Sequence, residues 1–408
     1  VKPTVLIVTT SNWFPTARLA MALARAGCVV DAVCPPRHPL GKIGAVRKTY
    51  AYRGLAPLRS FAHAIAASQP DLIVPGDDLA TLHLHGLHER EAHGTMTAAL
   101  IERSLGVPES FPVVYARTAF IELAQAEGIR APRTEEIASA DALKQWVSRM
   151  GLPTVLKANG TCGGAGVRVV HTFEEAERAY RALEAPPLFP RAVKRALVNR
   201  DKTLLWPSLL RRRSVVNAQE YVAGREATSA VACWQGKVLA SLHFEVLNKR
   251  GSAAGPSSVV RLIENAEMAA ACEGMVRRLK LSGLQGFDFM LEADTGNAYL
   301  IEINPRATQV GHLALGPGRD LAAALYAAVT GEAVKAAPKV TENDTIALFP
   351  QEWMRDAGSE FLRTGYHDVP WEEPELLRAS VRQGRKARAA KSEETSVQRL
   401  AEVRLPRL

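Results

Sequence analysis

The chain has 408 residues, 47% of them apolar and 23% charged, enough for two or three packed units at roughly 100–200 residues per domain. That composition excludes a disordered or fibrous protein, and five cysteines without a CxxC pair exclude a disulfide framework and a zinc site. A net charge of +9 suits anionic ligands such as nucleotides and suits nucleic acid equally, so charge alone does not discriminate.

The first apolar run, Val5 to Val8, is too short for a signal-peptide core or a membrane span, which needs about 20 residues, so a soluble cytoplasmic protein is expected. "TVLIV" (4–8), "PTARLAMALARAG" (15–27) and "CVVDAVCPP" (28–36) read as strand, helix and strand, the start of a doubly wound sheet. "LRSFAHAIAASQP" (58–70) and "DLIVPGDD" (71–78) repeat the pattern, the second strand ending in a polar turn. The turn after Val8 holds no glycine, the first in the chain being Gly27, so the unit has Rossmann-like topology without a dinucleotide fingerprint.

Helices are predicted at 117–128 and 140–151, each closed by a glycine. "LPTVLKANGTCGGAGVRVV" follows as two strands joined by a glycine-rich loop. A helix is predicted at 172–184, then a Pro-flanked, Arg-rich stretch, and a strand at 214–222. Strand alternation returns at 225–250 with a turn at Gln235-Gly236, a helix at 265–281, a hairpin at 284–306 and a helix at 320–332. The remainder reads as a small appendage. These divisions predict a Rossmann-like domain at 1–112, linker helices and a lid at 113–224, a metal-binding subdomain at 225–335 and a C-terminal appendage at 336–408.

The hairpin carries the chemistry. Glu302 and Asn304 are two apart on "LIEINPR" and so share a sheet face, and the turn brings Asp288 of "GFDFML" back across from them. Three hard oxygen donors with open positions suit Mg²⁺ that keeps water and phosphate as its other ligands. Their apolar neighbours, Phe287, Phe289, Leu300, Ile301 and Ile303, make buried carboxylates costly without a cation. Arg306 lies on the same side, within reach of a transferring phosphoryl group. Lys157 precedes Gly160, Gly163, Gly164 and Gly166, the reverse of the Walker order, which suggests a lid whose lysine meets phosphates while glycine amides cover them. In "QEYVAGRE", an edge strand at Glu220, Tyr221 and Val222 would read adenine through its backbone, with Glu226 accepting ribose hydroxyls. Taken alone it is a strand, a turn and a strand.

The ordered set "VLKANGTCGGAGV", "QEYVAGRE" and "GFDFML…YLIEINPR" resembles the ATP-grasp superfamily over about residues 1–335. The resemblance implies a Rossmann-like domain followed by two α+β subdomains that clamp ATP. It implies Mg²⁺, two ions in most members, on Asp288, Glu302 and Asn304, and phosphates on Lys157 and the loop glycines. Gln219 to Val222 would contact adenine and Glu226 ribose, and Arg306 would stabilise the transferred group. A phosphate-contacting lysine of many members falls at Arg117, where a planar fork replaces a point charge. The implied reaction phosphorylates a carboxylate to an acyl phosphate, which an amine then attacks, forming a C–N bond and releasing ADP and phosphate. The partners would be a small carboxylic acid and an amine. Two alternatives stay open: phosphorylation or carboxylation of a small molecule, and a non-catalytic ATP-binding protein.

The acceptor side is less legible. Lys249, Arg250, Ser257 and Ser258 in "NKRGSAAGPSSVVR", and Gln309 and His312 in "RATQVGHLALG", are candidate substrate contacts, although a structural role fits His312 better. Residues 186–213 extend the lid with apolar and Arg residues, which leaves packing, a membrane surface and a homodimer contact open. The basic stretch from Arg378 to Lys391 lacks interleaved aromatics, so nucleic acid is not expected as a partner.

Overall fold

The computed structural model describes residues 2–92, 94–159, 166–186, 213–251, 255–335 and 337–382. The chain opens as a four-stranded parallel sheet of β1 (Thr4–Val8), β2 (Val29–Cys34), β3 (Val46–Ala51) and β4 (Leu72–Pro75) in the order β3-β2-β1-β4. Helix α1 (Pro15–Ala26) covers one face, started by Pro15 and stopped by left-handed Gly27. Helices α2 (Pro57–Ser68), α3 (Asp78–His88) and α4 (Met96–Leu105) cover the other. β3 escapes the periodicity reading because Arg47, Lys48 and Thr49 face solvent at the sheet edge, leaving no alternation to detect.

Helix α5 (Arg117–Ala126) leads into a second sheet of β5 (Thr134–Ile137), β6 (Thr154–Ala158), β7 (Val167–Val170) and β8 (Val216–Glu220), ordered β5-β8-β6-β7. Helices α6 (Ala140–Met150) and α7 (Phe173–Glu184) bury their apolar stripes on one face of it, around the fully buried Trp146. Trp146 Nε1 donates to Thr154 Oγ1 at 2.8 Å, so the ring is buried without an orphaned donor.

The third sheet is the largest. It joins β9 (Gly224–Trp234), β10 (Lys237–Lys249), β11 (Ser257–Leu262), β12 (Gly283–Glu292), β13 (Ala298–Asn304), β14 (Thr345–Leu348) and β15 (Tyr366–Asp368) in the order β13-β12-β9-β10-β11-β14-β15. Gly224 is required at the start of β9, because a Cβ there would stand 2.0 Å from the carbonyl oxygen of Leu291. One face packs on α5 and α8 (Ala266–Arg278) through Phe287, Phe289 and Leu300. The other packs, through Ala230, Leu242, Phe244 and Val260, on α9 (Leu321–Thr330) and α1. That core also contains Val5, Ile7 and Val74, so the parallel sheet and the large sheet share one apolar interior.

Residues 345–368 are not an appendage. β14 pairs antiparallel with β11, β15 pairs parallel with β14, and α10 (Gln351–Arg355) and α11 (Phe361–Thr364) lie between them. Short strands separated by turns gave no periodic run long enough to mark them in the sequence. The lid extension lies outside the described residues between 187 and 212, as does the basic stretch from 383 onward. Among the described residues no helix is long and apolar enough to cross a membrane.

Candidate active site

The hairpin of β12 and β13 places Asp288 directly opposite Glu302, and Gly286 opposite Asn304. The ladder slips between Asp288 and Phe289, leaving Ile301 as an extra residue on β13. The bulge lets Leu300 join Phe289 in the buried core while Glu302, two residues on, keeps the opposite face. Gly286 has a steric reason: a Cβ there would meet Thr308 at 2.4 Å beside Asn304.

Asp288 Oδ1 accepts from Thr228 Oγ1 and its Oδ2 from Asn304 Nδ2, both at 2.9 Å. Burial and the facing Glu302 push the Asp288 carboxyl above its ordinary range despite those bonds. Glu302 shifts the other way: burial opposes its charge, but Arg117 and Lys157 outweigh that and hold it ionised. Arg117 Nη1 forms a short ion pair with Glu302 Oε2. Asn304 Oδ1 accepts from Arg306 Nη2 at 3.0 Å, and Arg306 Nε donates to Asp78 Oδ1 at 3.0 Å. Burial works against the Arg306 charge, and Asp78, Asp288 and Asp77 reinforce it.

On the second sheet, Leu156 points into the lid core, so Lys157 points the other way, beside Asn217 on β8. Lys157 is buried, 6% exposed. Desolvation brings its ammonium down to about 8, against the pull of Glu302 and Asp288, while Arg117 lowers it further. Lys157, Arg117, Asp288, Glu302 and Arg306 therefore lie within one electrostatic neighbourhood drawn from both sheets. Asn217 is a site residue that sequence reasoning missed. Its Nδ2 donates to Asn159 Oδ1 at 2.8 Å, and only its ladder position opposite Lys157 reveals it. Thr228 was missed for the same reason, and Asp78 because it is distant in sequence.

Two other expectations change. The strand carrying Gln219 and Glu220 is interior, not an edge: β8 pairs with β5 on one side and β6 on the other. Gln219 is buried, donating from Nε2 to Thr134 Oγ1 at 2.9 Å. Tyr221 and Val222 lie past the ladder, between β8 and β9, Tyr221 exposed and Val222 buried. Glu226 is on β9 and forms a short ion pair with Lys249.

The acceptor candidates divide. Ser258 is buried and donates to the buried Glu352 at 2.7 Å, and Glu352 also takes both Nε and Nη2 of Arg355, so Ser258 serves the fold. Gln309 Nε2 donates to the carbonyl of Ser257 at 3.0 Å and its Oε1 accepts from Gln351 Nε2 at 3.2 Å, carrying the turn after β13 across the sheet. Arg250 is half-buried, its backbone amide donating to Pro256 at 2.9 Å. His312 is structural: its Nε2 bonds Asp368 Oδ2 at 2.6 Å, and Asp368 Oδ1 accepts from Arg18 Nη2 at 2.5 Å, all three buried. Burial lowers the His312 imidazole below its usual range. Gly163 and Gly164 lie outside the described residues.

The two opposed carboxylates fit Mg²⁺, since they are oxygen donors whose repulsion a divalent ion would relieve. The Asn304 carbonyl has a second lone pair beyond the one Arg306 takes. Among the described residues no group of three or more His, Cys, Asp or Glu side chains that could hold a metal ion gathers.

Two sheets that meet across a strip of cations and carboxylates define the ATP-grasp fold class. Residues 204–310 match the family model of an ATP-grasp domain. The chain is structurally similar to N5-carboxyaminoimidazole synthetase from Staphylococcus aureus complexed with ADP, with TM-score 0.56 and 13% identity, over 82% of this chain and 80% of that one. It is similar to the biotin carboxylase domain of Hydrogenobacter thermophilus 2-oxoglutarate carboxylase in complex with MgADP, ADP and bicarbonate, with TM-score 0.56 and 15% identity, over 81% and 71%. Biotin carboxylase from Campylobacter jejuni gives TM-score 0.57 and 15% identity over 83% and 74%. No curated protein matches the sequence. Residues 204–310 thus match an ATP-grasp domain, and the chain shares the fold of these ATP-grasp structures.

Proposed function

We propose that this chain is a ligase that uses Mg-ATP to activate a small carboxylic acid as its acyl phosphate and passes the acyl group to an amine, releasing ADP and phosphate. The observation that carries the reading is the convergence of Lys157 and Arg117 from outside the hairpin on the Asp288–Glu302 pair inside it.

A carboxylate is a poor acyl donor because its leaving group would be oxide; phosphorylation replaces that with phosphate. The barrier is then largely electrostatic, since two anions must meet. Mg²⁺, when bound, would neutralise phosphate charge, with Asp288, Glu302 and Asn304 as the residues to hold it. Lys157 orients phosphate oxygens from the lid sheet and Arg117 from the start of α5. Arg306 supplies charge-assisted hydrogen bonds to the group in transfer. Glu226 and the segment Gln219 to Val222 are the proposed ribose and adenine contacts, with Tyr221 and Val222 the members whose backbone lies past the ladder. Lys249, Arg250 and Gln309 are the remaining candidates for the substrate side. No nucleophilic side chain is needed, since the substrate carboxylate attacks phosphorus and the amine attacks carbon.

A second reading is favoured by the structural neighbours, which are synthetases and carboxylases, one of them holding bicarbonate. Bicarbonate in place of an organic acid would make the same machinery a carboxylase. ADP release from Mg-ATP against a panel of carboxylates, bicarbonate included, each with and without amines, tests both. Mass spectrometry of an amide supports the ligase, a carboxylated amine supports the second reading, and ATP binding without turnover of any member contradicts both.

A further inference from the structure

We propose that Asp78, from the parallel-sheet domain, is a positioning residue for Arg306 and so makes that domain part of the reaction centre; the inference rests on the role given to Arg306 above. Asp78 opens α3, immediately after β4. Its Oδ1 accepts from Arg306 Nε at 3.0 Å, and both side chains are mostly withdrawn from solvent, 30% and 19% exposed.

The helix end that carries Asp78 is itself fixed. Asp77 caps α3 by accepting from the Ala80 amide at 2.9 Å, and it also accepts from Thr9 Oγ1 at 2.6 Å, the Thr10 amide at 2.6 Å and Thr10 Oγ1 at 2.8 Å. The hydroxyl of Tyr115 donates to the Asp78 carbonyl at 3.0 Å. On either side of Arg306 the backbone is clasped by the same domain. Thr81 Oγ1 donates to the Pro305 carbonyl at 2.9 Å, and the Ala307 amide donates to the Pro75 carbonyl at 3.0 Å.

These contacts decide what Arg306 has left to offer. A guanidinium has five N–H donors in a fixed plane. Nε goes to Asp78, one Nη2 hydrogen to Asn304 and one Nη1 hydrogen to the Ala307 carbonyl, which leaves, among the described residues, one donor on each terminal nitrogen. Two donors fixed in one plane match two oxygens of a phosphoryl group. A mere domain clasp would not need an acidic partner on Nε, since Thr81 and Ala307 already dock the turn. The carboxylate sets the guanidinium plane before substrate arrives, and preorganisation of this kind enters kcat more than ground-state binding.

The experiment compares full-length wild type, Asp78→Ala, Asp78→Asn, Thr81→Val and Arg306→Ala. The readout is ADP release with the acid and amine pair that turns over fastest in the panel above, with thermal unfolding run in parallel. Asp78→Ala is expected to lose about 100-fold in kcat with KM for ATP within about twofold, the scale of a misplacement near 1 Å. Asp78→Asn keeps an acceptor oxygen and is expected to recover most of that loss, whereas Thr81→Val keeps kcat within about threefold. Unchanged kcat in Asp78→Ala, or equal losses in Asp78→Ala and Thr81→Val, overturns the inference while leaving the site reading intact. Full activity in Arg306→Ala, or no turnover by wild type with any pair, overturns both.

Discussion

The hairpin that carries Asp288 and Glu302 and the lid that carries Lys157 hold charge in opposite ways. The hairpin ends a seven-stranded sheet with apolar cores on both faces, and its carboxylates are fixed by Thr228, Asn304 and Arg117. Among the described residues the lid is a four-stranded sheet with a helical layer of α6 and α7, and β7 turns Arg168 and Val169 to solvent. The hairpin concentrates negative charge until a cation becomes favourable, whereas the lid buries a single ammonium until it is on the point of losing its proton. The lesson is one of division: the larger sheet collects the opposed carboxylates with their partners, and the smaller sheet contributes a buried lysine that faces them.

The largest effect expected is on the hairpin. Glu302→Gln and Asp288→Asn should lower kcat for ADP release by about 100- to 1,000-fold, the scale of losing a preorganised electrostatic group. Circular dichroism should remain unchanged, since both replacements are isosteric. Equal activity would dissolve the contrast with the lid. The next effect is structural and lies at the far edge of the same sheet. Asp368→Ala leaves Arg18 and His312 buried without their shared partner and should cost about 3–5 kcal/mol in urea unfolding, as removal of one member of a buried ion pair does. A smaller change follows on the lid: Lys157→Ala should raise KM for ATP by about tenfold and lower kcat less, because one phosphate contact is worth about 1.5–3 kcal/mol in binding.

pH separates the two regions further. The Asp288–Glu302 pair takes up its first proton above the ordinary carboxylate range, so Mg²⁺ affinity should fall on acidification sooner than for a solvated carboxylate pair. Lys157 is charged below about 8 and neutral above it, so KM for ATP should rise as pH passes about 8. Lys157→Ala should flatten the alkaline limb and leave the acid limb in place. An alkaline limb that survives the substitution would assign it elsewhere.

The fold was legible where the pattern was long. The helices at 15–26, 140–150 and 266–278 and the hairpin from 283 to 304 announce themselves by period and by closing turns. The short strands Thr345–Leu348 and Tyr366–Asp368 do not, because three or four residues have no period and their place in the sheet is decided by β11. The site divides similarly. Asp288, Glu302, Asn304 and Arg306 could be placed on one face from alternation alone, although the bulge at Ile301 that preserves this face could not. Ser258 was a candidate substrate residue until burial paired it with Glu352, whereas the structural role expected of His312 takes the form of its bond to Asp368. Asn217, Thr228 and Asp78 reach the site only through ladder register or domain docking, which a linear reading does not contain.

The central claim is that phosphate passes from ATP to a carboxylate oxygen. The most direct measurement supplies the acid with both carboxylate oxygens labelled with ¹⁸O and follows the label by mass spectrometry of the products. Transfer through an acyl phosphate leaves one ¹⁸O in the released inorganic phosphate for each amide formed, with ADP as the other product. Unlabelled phosphate, or AMP in place of ADP, would contradict it.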